Sequence, residues 1–276
     1  MGKGRHLRSI FLLAAVAAQL MVAPRPALAY TFFPDLSYGP APAPDNLLDV
    51  YVPAGAGPFP AILVIHGGGW IDGDKMDWQD EAIALADAGF VAVTANFRTA
   101  PENLYPAALL DLQLAVAWLR GHAATYSIDP QNIGALGGSS GAHLSALLAM
   151  KGKGSQTSGS RIAAAASWSG RMDFTLDQTH NIERFLGCPY ESCPRLWKDA
   201  SPYYSVDTSD PALYLANSTA EVCPLYHATN MAEKLGRKGV PYVLRVLEGS
   251  KHSRGYEDQV WGETVQFFRD HLGPDG

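Results

Sequence analysis

Short apolar runs recur along the chain from residue 47 onwards, separated by longer segments of mixed polarity. Residues 61–66 predict a strand covered on both faces, because their apolar side chains are continuous rather than alternating. The other strands predicted from such runs are 47–52, 90–95, 132–136, 162–168, 212–216 and 242–247. The segments between them predict helices over 78–88, 107–119, 140–150, 228–237 and 258–271.

This alternation predicts an α/β domain with a mostly parallel sheet, right-handed crossovers and helices on both faces. Residues 30–276 have the length of one such domain, and no internal repeat or second domain is evident. Ligands of open α/β sheets bind at the carboxyl ends of the strands. The loops that follow the predicted strands are therefore where functional residues are expected.

Three segments lack this alternation of predicted strands and helices. Residues 31–46 are rich in Pro and Ala and predict an extended lead-in, while 151–160 predict a flexible surface loop. Residues 170–210 have weak periodicity and many turn-forming residues. They predict an insertion that lies over the functional site and builds much of its wall.

Residues 1–29 predict a secretory signal peptide. A basic start precedes an apolar segment over 10–22, and Ala27-Leu28-Ala29 matches a cleavage site that would leave Tyr30 first. The alternative is an uncleaved membrane anchor, but the apolar segment is shorter than the roughly 20 residues that span a bilayer. The sequence therefore predicts a secreted or periplasmic protein.

Charge and cysteine content restrict the function. The formal net charge is −6, and removal of the basic leader would make it more negative, which argues against nucleic acid and anionic membranes as partners. Export permits disulfides, and Cys188 with Cys193 predicts a local loop disulfide that leaves Cys223 as a buried thiol. No C-x-x-C pair or histidine cluster accompanies them, so no metal site is predicted.

Candidate chemistry begins at residues 137–141, Gly-Gly-Ser-Ser-Gly, between a predicted strand and a predicted helix. This matches the G-x-S-x-G nucleophile elbow, a sharp turn that exposes a serine above the sheet. The pattern predicts Ser139 as a nucleophile. It is weak alone in a chain with 27 glycines, so it depends on a base, an acid and an oxyanion loop elsewhere.

The chain order Ser, Asp or Glu, His locates the partners. His252 is the only histidine after the last predicted strand and before the last helix, which predicts it as the base. Glu221 is the first carboxylate after the strand 212–216, which predicts it as the acid. The alternatives weigh less: Asp210 precedes that strand, and Glu248 is only four residues from His252.

A glycine run after strand 61–66 predicts the oxyanion loop. Backbone N–H groups of Gly68, Gly69 and Ser140 are the expected donors, because residues without Cβ atoms let the loop turn its amides inward. His66 is expected to fix the loop, and His143 to be a core histidine. Trp70 is assigned to the substrate-binding wall, with core packing an equally open alternative.

The chain resembles α/β-hydrolase esterases of the hormone-sensitive-lipase-like and feruloyl/acetylxylan-esterase-like groups. Of these, the capless secreted feruloyl/acetylxylan type is more similar. The resemblance runs from about residue 48 to the end. It implies the α/β-hydrolase fold with a minimal cap, the triad Ser139, Glu221 and His252, and the oxyanion donors named above. The matching segments are HGGGW at 66–70, NFR at 96–98 with PE at 101–102, PAALLD at 106–111, IDP at 128–130 and GGSSGAHL at 137–144.

Two residues depart from the family pattern. The family usually has Asp as the acid, where this chain has Glu221, and a carboxylate before the nucleophile, where it has Gly138. Glu can serve as the acid. Gly138 implies an elbow held by something other than the family's usual contact.

These features together predict a secreted serine carboxylesterase that acts through an acyl-enzyme on a small-molecule or polysaccharide-linked ester. Neither a metal nor an organic cofactor is implied, and the oligomeric state is not readable. One alternative is a serine amidase or peptidase on the same fold. Another is a catalytically inactive hydrolase-fold protein used for binding.

Overall fold

The computed structural model describes residue 1 and residues 30–155 and 158–273, so the predicted signal peptide lies outside the described residues. Eight strands form one sheet in the order β1-β2-β4-β3-β5-β6-β7-β8. β1 and β4 each pair antiparallel with β2, and every other pair is parallel. The strands are β1 Tyr30–Ser37, β2 Leu47–Pro53, β3 Phe59–Ile65, β4 Val91–Ala95, β5 Ile128–Gly138, β6 Ala164–Trp168, β7 Ala212–Ser218 and β8 Tyr242–Leu247.

Among the described residues, four longer helices connect strands, a fifth follows the last strand, and three short ones lie between β6 and β7. Single 3-10 turns add Lys75–Trp78, Phe174–Leu176 and Ser253–Tyr256. Across the part of the chain that is described, no helix has the length and apolar character needed to cross a membrane. The helices are α1 Gln79–Asp87, α2 Ala107–Gly121, α3 Ser140–Lys151, α4 His180–Leu186, α5 Pro194–Asp199, α6 Pro202–Ser205, α7 Tyr226–Lys238 and α8 Glu257–Leu272.

Both faces of the sheet are covered, as the continuous apolar runs predict. Successive side chains of a strand point to opposite faces, so Leu63 and Ile65 enter one core with α2, α3 and α7. Ile62 and Val64 enter the other core with α1 and α8. The mostly parallel, doubly covered sheet predicted from the sequence is therefore confirmed.

The lead-in differs from its prediction. Residues 30–37 form the edge strand β1, which pairs antiparallel with β2 and has a register shift between Phe33 and Leu36. Pro34 and Asp35 interrupt the strand there, and Asp35 has a φ of 54°. Most of the strand is exposed, so it lacks the apolar run by which the buried strands are recognised.

Residues 170–210 pack on the core through aromatic and aliphatic side chains. Phe174, Ile182, Phe185 and Trp197 are all buried there. The predicted Cys188–Cys193 disulfide is present in this segment. The prediction of Cys223 as a buried free thiol is also confirmed.

Candidate active site

Ser139 occupies a strained turn between the end of β5 and the start of α3. Its φ of 57° and ψ of −120° lie in a region that non-glycine residues rarely adopt. The Ser139 N–H donates to Trp168 O of the neighbouring strand at 2.9 Å, which helps to hold the turn. A Cβ on Gly141 would lie 2.1 Å from Ile65 O, so α3 can approach β3 this closely only with glycine there. The local sequence thus fixes a serine at the carboxyl edge of the sheet.

Gly138 is required by two side chains that fill the space beside the elbow. A Cβ on Gly138 would lie 2.0 Å from Ser253 Oγ and 2.4 Å from Trp78 Cζ2. A carboxylate could not be accommodated without displacing them. Trp78 and Ser253 therefore brace the elbow, and Ser253 brings the loop of His252 into direct contact with it.

Glu221 is a buried carboxylate with donors on both oxygens. Its side chain has 0% exposure. Oε1 accepts from Ser169 Oγ at 2.9 Å and from the Ser218 N–H at 2.7 Å, while Oε2 accepts from His252 Nδ1. Since an ionised carboxylate only accepts, Nδ1 carries the proton and Nε2 of a neutral His252 remains an acceptor.

The turn that carries Glu221 is tied to the loop that carries His252. Asn217 Nδ2 donates to Ser218 O and to Cys223 O, each at 3.0 Å, and so closes the turn. Ser218 Oγ donates to Lys251 O at 2.6 Å, and the Ala220 N–H donates to Gly249 O at 2.9 Å. The relative position of Glu221 and His252 is thereby set by the backbone.

Ser169 is a residue that sequence reasoning missed. It follows β6, has a φ of 65°, and is buried. Its Oγ donates to Glu221 Oε1 and accepts from the Ser253 N–H at 2.9 Å. The available signal was its position at the carboxyl end of a strand adjacent to the elbow strand.

A cavity of about 360 Å³ opens at the elbow. Ser139, Ser140, Gly69, Trp70 and His252 all line it, so five of the seven predicted site residues meet here. Gly68 and Glu221 are not among its lining residues, because Gly68 lies one residue further back and Glu221 lies behind His252. The remaining wall consists of Ser169, Arg171, Thr179, His180, Asn181, Val222 and Cys223.

Much of that wall comes from residues 170–210, as the sequence predicts for this segment. Arg171 forms an ion pair with Asp177, and its Nη2 donates to Val222 O at 2.7 Å. The insertion is thus joined to the turn of Glu221. Over residues 30–155 and 158–273, no group of three or more His, Cys, Asp or Glu side chains could hold a metal ion.

The predicted oxyanion loop is a tight glycine turn. Gly68 and Gly69 have φ values of 112° and 63°, and Gly68 O accepts from the N–H groups of Ile71 and Asp72. His66 donates from Nδ1 to Gly67 O at 2.7 Å, and its ring stacks on Phe97. Burial lowers the pKa of His66, so it supports the loop as a neutral side chain.

Trp70 connects this loop to the core beneath. It is 5% exposed, and its indole Nε1 donates to His143 Nδ1 at 3.0 Å. His143 Nε2 in turn donates to Ala200 O at 2.8 Å. Burial lowers the pKa of His143 to about 4, so this bridge is neutral. Trp70 is mainly a core residue, with one edge on the cavity.

Comparison with known proteins agrees with this architecture. A family model described as BD-FAE matches residues 48–235. The chain is 30% identical to Esterase LipQ of Mycobacterium tuberculosis over 66% of its own length and 47% of that protein. It is 28% identical to the probable carboxylic ester hydrolase LipM of the same organism over 71% of its own length and 50% of that protein. The chain thus spans about half the length of these curated relatives.

Solved structures share the fold. A truncated carbohydrate esterase from gut microbiota superposes with a TM-score of 0.80 at 24% identity, covering 89% of this chain and 98% of that one. An acetyl ester-xyloside bifunctional hydrolase from Caldicellulosiruptor lactoaceticus superposes with a TM-score of 0.73 at 22% identity. The superposition covers 83% of this chain and 90% of that one. The resemblance inferred from the sequence is confirmed: this chain belongs to the BD-FAE family and has the α/β-hydrolase fold.

Proposed function

We propose that this protein is an exported serine carboxylesterase with Ser139 as nucleophile, His252 as base and Glu221 as acid. The observation that supports this most is the contact of His252 Nδ1 with the buried Glu221 carboxylate. It leaves Nε2 as the acceptor on a ring that lines the same cavity as Ser139. The names of the relatives, esterase and carboxylic ester hydrolase, support the same class of reaction.

In the proposed reaction, His252 Nε2 takes the proton of Ser139 Oγ as this oxygen attacks the ester carbonyl carbon. The tetrahedral intermediate collapses, the carbon–oxygen bond to the alcohol breaks, and His252 returns the proton to the leaving oxygen. A water then attacks the acyl-enzyme with the same histidine as base, which releases the acid and restores Ser139. Glu221 stabilises the imidazolium in both halves.

Negative charge on the former carbonyl oxygen requires donors. The N–H of Ser140 is in the first turn of α3, where backbone donors have no intrahelical partner. Gly69, and Gly68 behind it, supply the other expected donors from the glycine turn. Each such donor can contribute about 3 kcal/mol to transition-state stabilisation.

The proposed substrate is a small or polysaccharide-linked ester with a short acyl group. A cavity of about 360 Å³ lies at the small end of ligand pockets. Its wall is rich in polar side chains such as Thr179 and Asn181, which suits an oxygen-rich alcohol part. The printed names of two structural neighbours, a carbohydrate esterase and an acetyl ester-xyloside hydrolase, agree with this class.

The function is tested with a fluorophosphonate probe and p-nitrophenyl esters of increasing acyl length. We expect labelling and fast acetate ester hydrolysis by the wild type, and loss of both in Ser139→Ala and in His252→Ala. An unlabelled, inactive wild type would favour the binding-protein alternative. Cleavage of p-nitroanilides as efficient as that of esters would favour the amidase alternative.

Export is also proposed, from the leader pattern and from the Cys188–Cys193 disulfide, which persists in oxidising compartments. N-terminal sequencing of the protein from the medium or periplasm should give Tyr30 first. Material that stays with the membrane and begins at Met1 would contradict cleavage.

A further inference from the structure

The loop that carries His252 is anchored to α1 by Arg254, two residues further on. Arg254 Nε donates to Glu81 Oε1, and Nη1 donates to Asp77 O at 2.7 Å. The guanidinium carbon lies 5.7 Å from the centroid of the Trp78 ring. The Glu81 side chain has 0% exposure, whereas the Arg254 side chain is 42% exposed. A partly exposed arginine therefore forms an ion pair with a buried carboxylate.

The contacts of Arg254 are connected to the nucleophile elbow through two neighbouring side chains. Trp78, beneath Arg254, is one of the two side chains that fill the space at Gly138. Ser253, between Arg254 and His252, is the other. Ser253 has a φ of 52°, a backbone conformation that persists only when its surroundings impose it. Its N–H bond to Ser169 Oγ fixes one side of the residue, and the Arg254 side chain fixes the other.

We propose that Glu81 and Arg254 are positioning residues, whose ion pair sets the distance and direction between His252 and Ser139. The proposal rests on the proposed function. Neither residue lines the catalytic cavity. They therefore act through His252, and their loss is expected to lower kcat while KM stays unchanged.

The charge of this pair depends on pH. Burial, and to a smaller extent the nearby Glu257 carboxylate, raise the pKa of Glu81, whereas its own backbone N–H and Arg254 lower it, and the net result is a pKa of about 7. Burial also raises the pKa of Glu257. Asp80 Oδ2 lies 4.0 Å from Arg254 Nη2 and is 90% exposed, so it is a weak competitor for the arginine. Glu81 is thus mostly protonated on the acid side of neutrality, and the full ion pair forms on the alkaline side.

This titration provides a readout that general destabilisation would not give. Glu81→Gln keeps the size and the Oε1 acceptor but cannot carry charge. We expect its kcat to fall about tenfold below the wild type at about pH 8.5, and to approach the wild-type value at about pH 5.5. Arg254→Lys should retain more activity than Arg254→Met at alkaline pH. Arg237→Met, which breaks an exposed ion pair with Glu233 on α7, is the matched control and should change neither parameter.

Each outcome bears on one hypothesis. A wild type that does not react with the fluorophosphonate rejects the proposed function itself. A reactive wild type whose Glu81→Gln and Arg254→Met variants react at the same rate at every pH rejects the positioning role alone. A loss of kcat that is equal at all pH values, or a raised KM with unchanged kcat, also overturns it. Thermal melting at each pH shows whether the variants remain folded.

Discussion

Two buried carboxylates of this protein contact the same loop, the one that follows β8, but differ in their surroundings. Glu221 and Glu81 both have side chains with 0% exposure, and each accepts from a basic residue of the loop after β8. Glu221 has donors on both oxygens. Glu81 Oε2 has no hydrogen-bond partner among the described residues. Both carboxylates are buried, so what distinguishes them is the number of hydrogen-bond donors to their oxygens.

The difference follows from where the donors originate. Two of the three groups that bind Glu221, the Ser218 N–H and Ser169 Oγ, lie at the ends of adjacent strands and are fixed by the sheet. Glu81 Oε1 instead accepts from a long, partly exposed arginine side chain that the sheet does not fix. Glu81, whose pKa burial raises to about 7, is suited to titrate near neutral pH.

The largest expected effect is that of Glu221→Gln. It keeps the shape but replaces one carboxylate oxygen by an NH2 donor. Because Ser169 and the Ser218 N–H hold the remaining oxygen, the NH2 faces His252 Nδ1 and favours the wrong tautomer, so kcat should fall by about 10³- to 10⁴-fold. Steady-state kinetics on a short-chain ester measure it. The controls are Asp210→Asn and Glu248→Gln, which should stay near the wild type. An equal or larger loss in either would reassign the acid.

Ser169→Ala should have a smaller effect of the same kind. It removes one donor to Glu221 and the acceptor of the Ser253 N–H, so we expect kcat to fall about tenfold. Ser167→Ala is the matched control, because Ser167 is also buried and its Oγ has no partner among the described residues. If kcat falls by the same factor in both variants, the hydrogen bond from Ser169 to Glu221 does not contribute specifically to kcat.

Glu81→Gln should alter the pH dependence of stability. The pKa of Glu81 in the folded protein is raised to about 7 from an ordinary 4.5. Protonated Glu81 therefore contributes stability that is present at low pH and is lost as pH rises through about 7. Relative to the wild type, the variant should gain about 2 kcal/mol in free energy of unfolding between about pH 5 and pH 8. Denaturant unfolding at the two pH values measures this. A relative loss at alkaline pH would contradict it.

The smallest effect on activity is expected from removal of the disulfide, because neither of its cysteines lines the cavity. Cys188→Ser with Cys193→Ser opens a short loop, so the unfolded state regains about 2 kcal/mol of conformational entropy and Tm falls by about 5 °C. Activity below the melting transition should not change. A loss of kcat in the folded variant would mean that this loop also shapes the cavity.

The covered strands and the partners of Ser139 were accessible to sequence reasoning for two physical reasons. A strand buried on both faces must be continuously apolar, so β3, β4 and β6 are marked in the sequence. Parallel strands bring their carboxyl ends to one edge, so chain order assigned Glu221 and His252 to the loops that the structure joins. Their catalytic roles stay predictions.

Other elements carry no such signal. The edge strand β1 is largely exposed, and α4 to α6 have at most two turns each, too few for a period to show. The contact between Arg254 and Glu81 joins residues 173 positions apart, and nothing local in either segment marks it. Nothing in the sequence distinguishes Ser169 from the other serines, because its contact with Glu221 exists only in the folded sheet.

Asn217 has a consequence for how the protein is produced. Asn217-Ser218-Thr219 is an acceptor sequence for N-linked glycans, yet its asparagine has 0% exposure and both its donor bonds lie inside the turn of Glu221. The folded protein cannot be modified there. A host that attaches sugars to exported chains before they fold would produce molecules in which this turn cannot close. Preparations from such a host should contain an inactive glycosylated fraction, and enzymatic removal of the glycan after folding should not restore it.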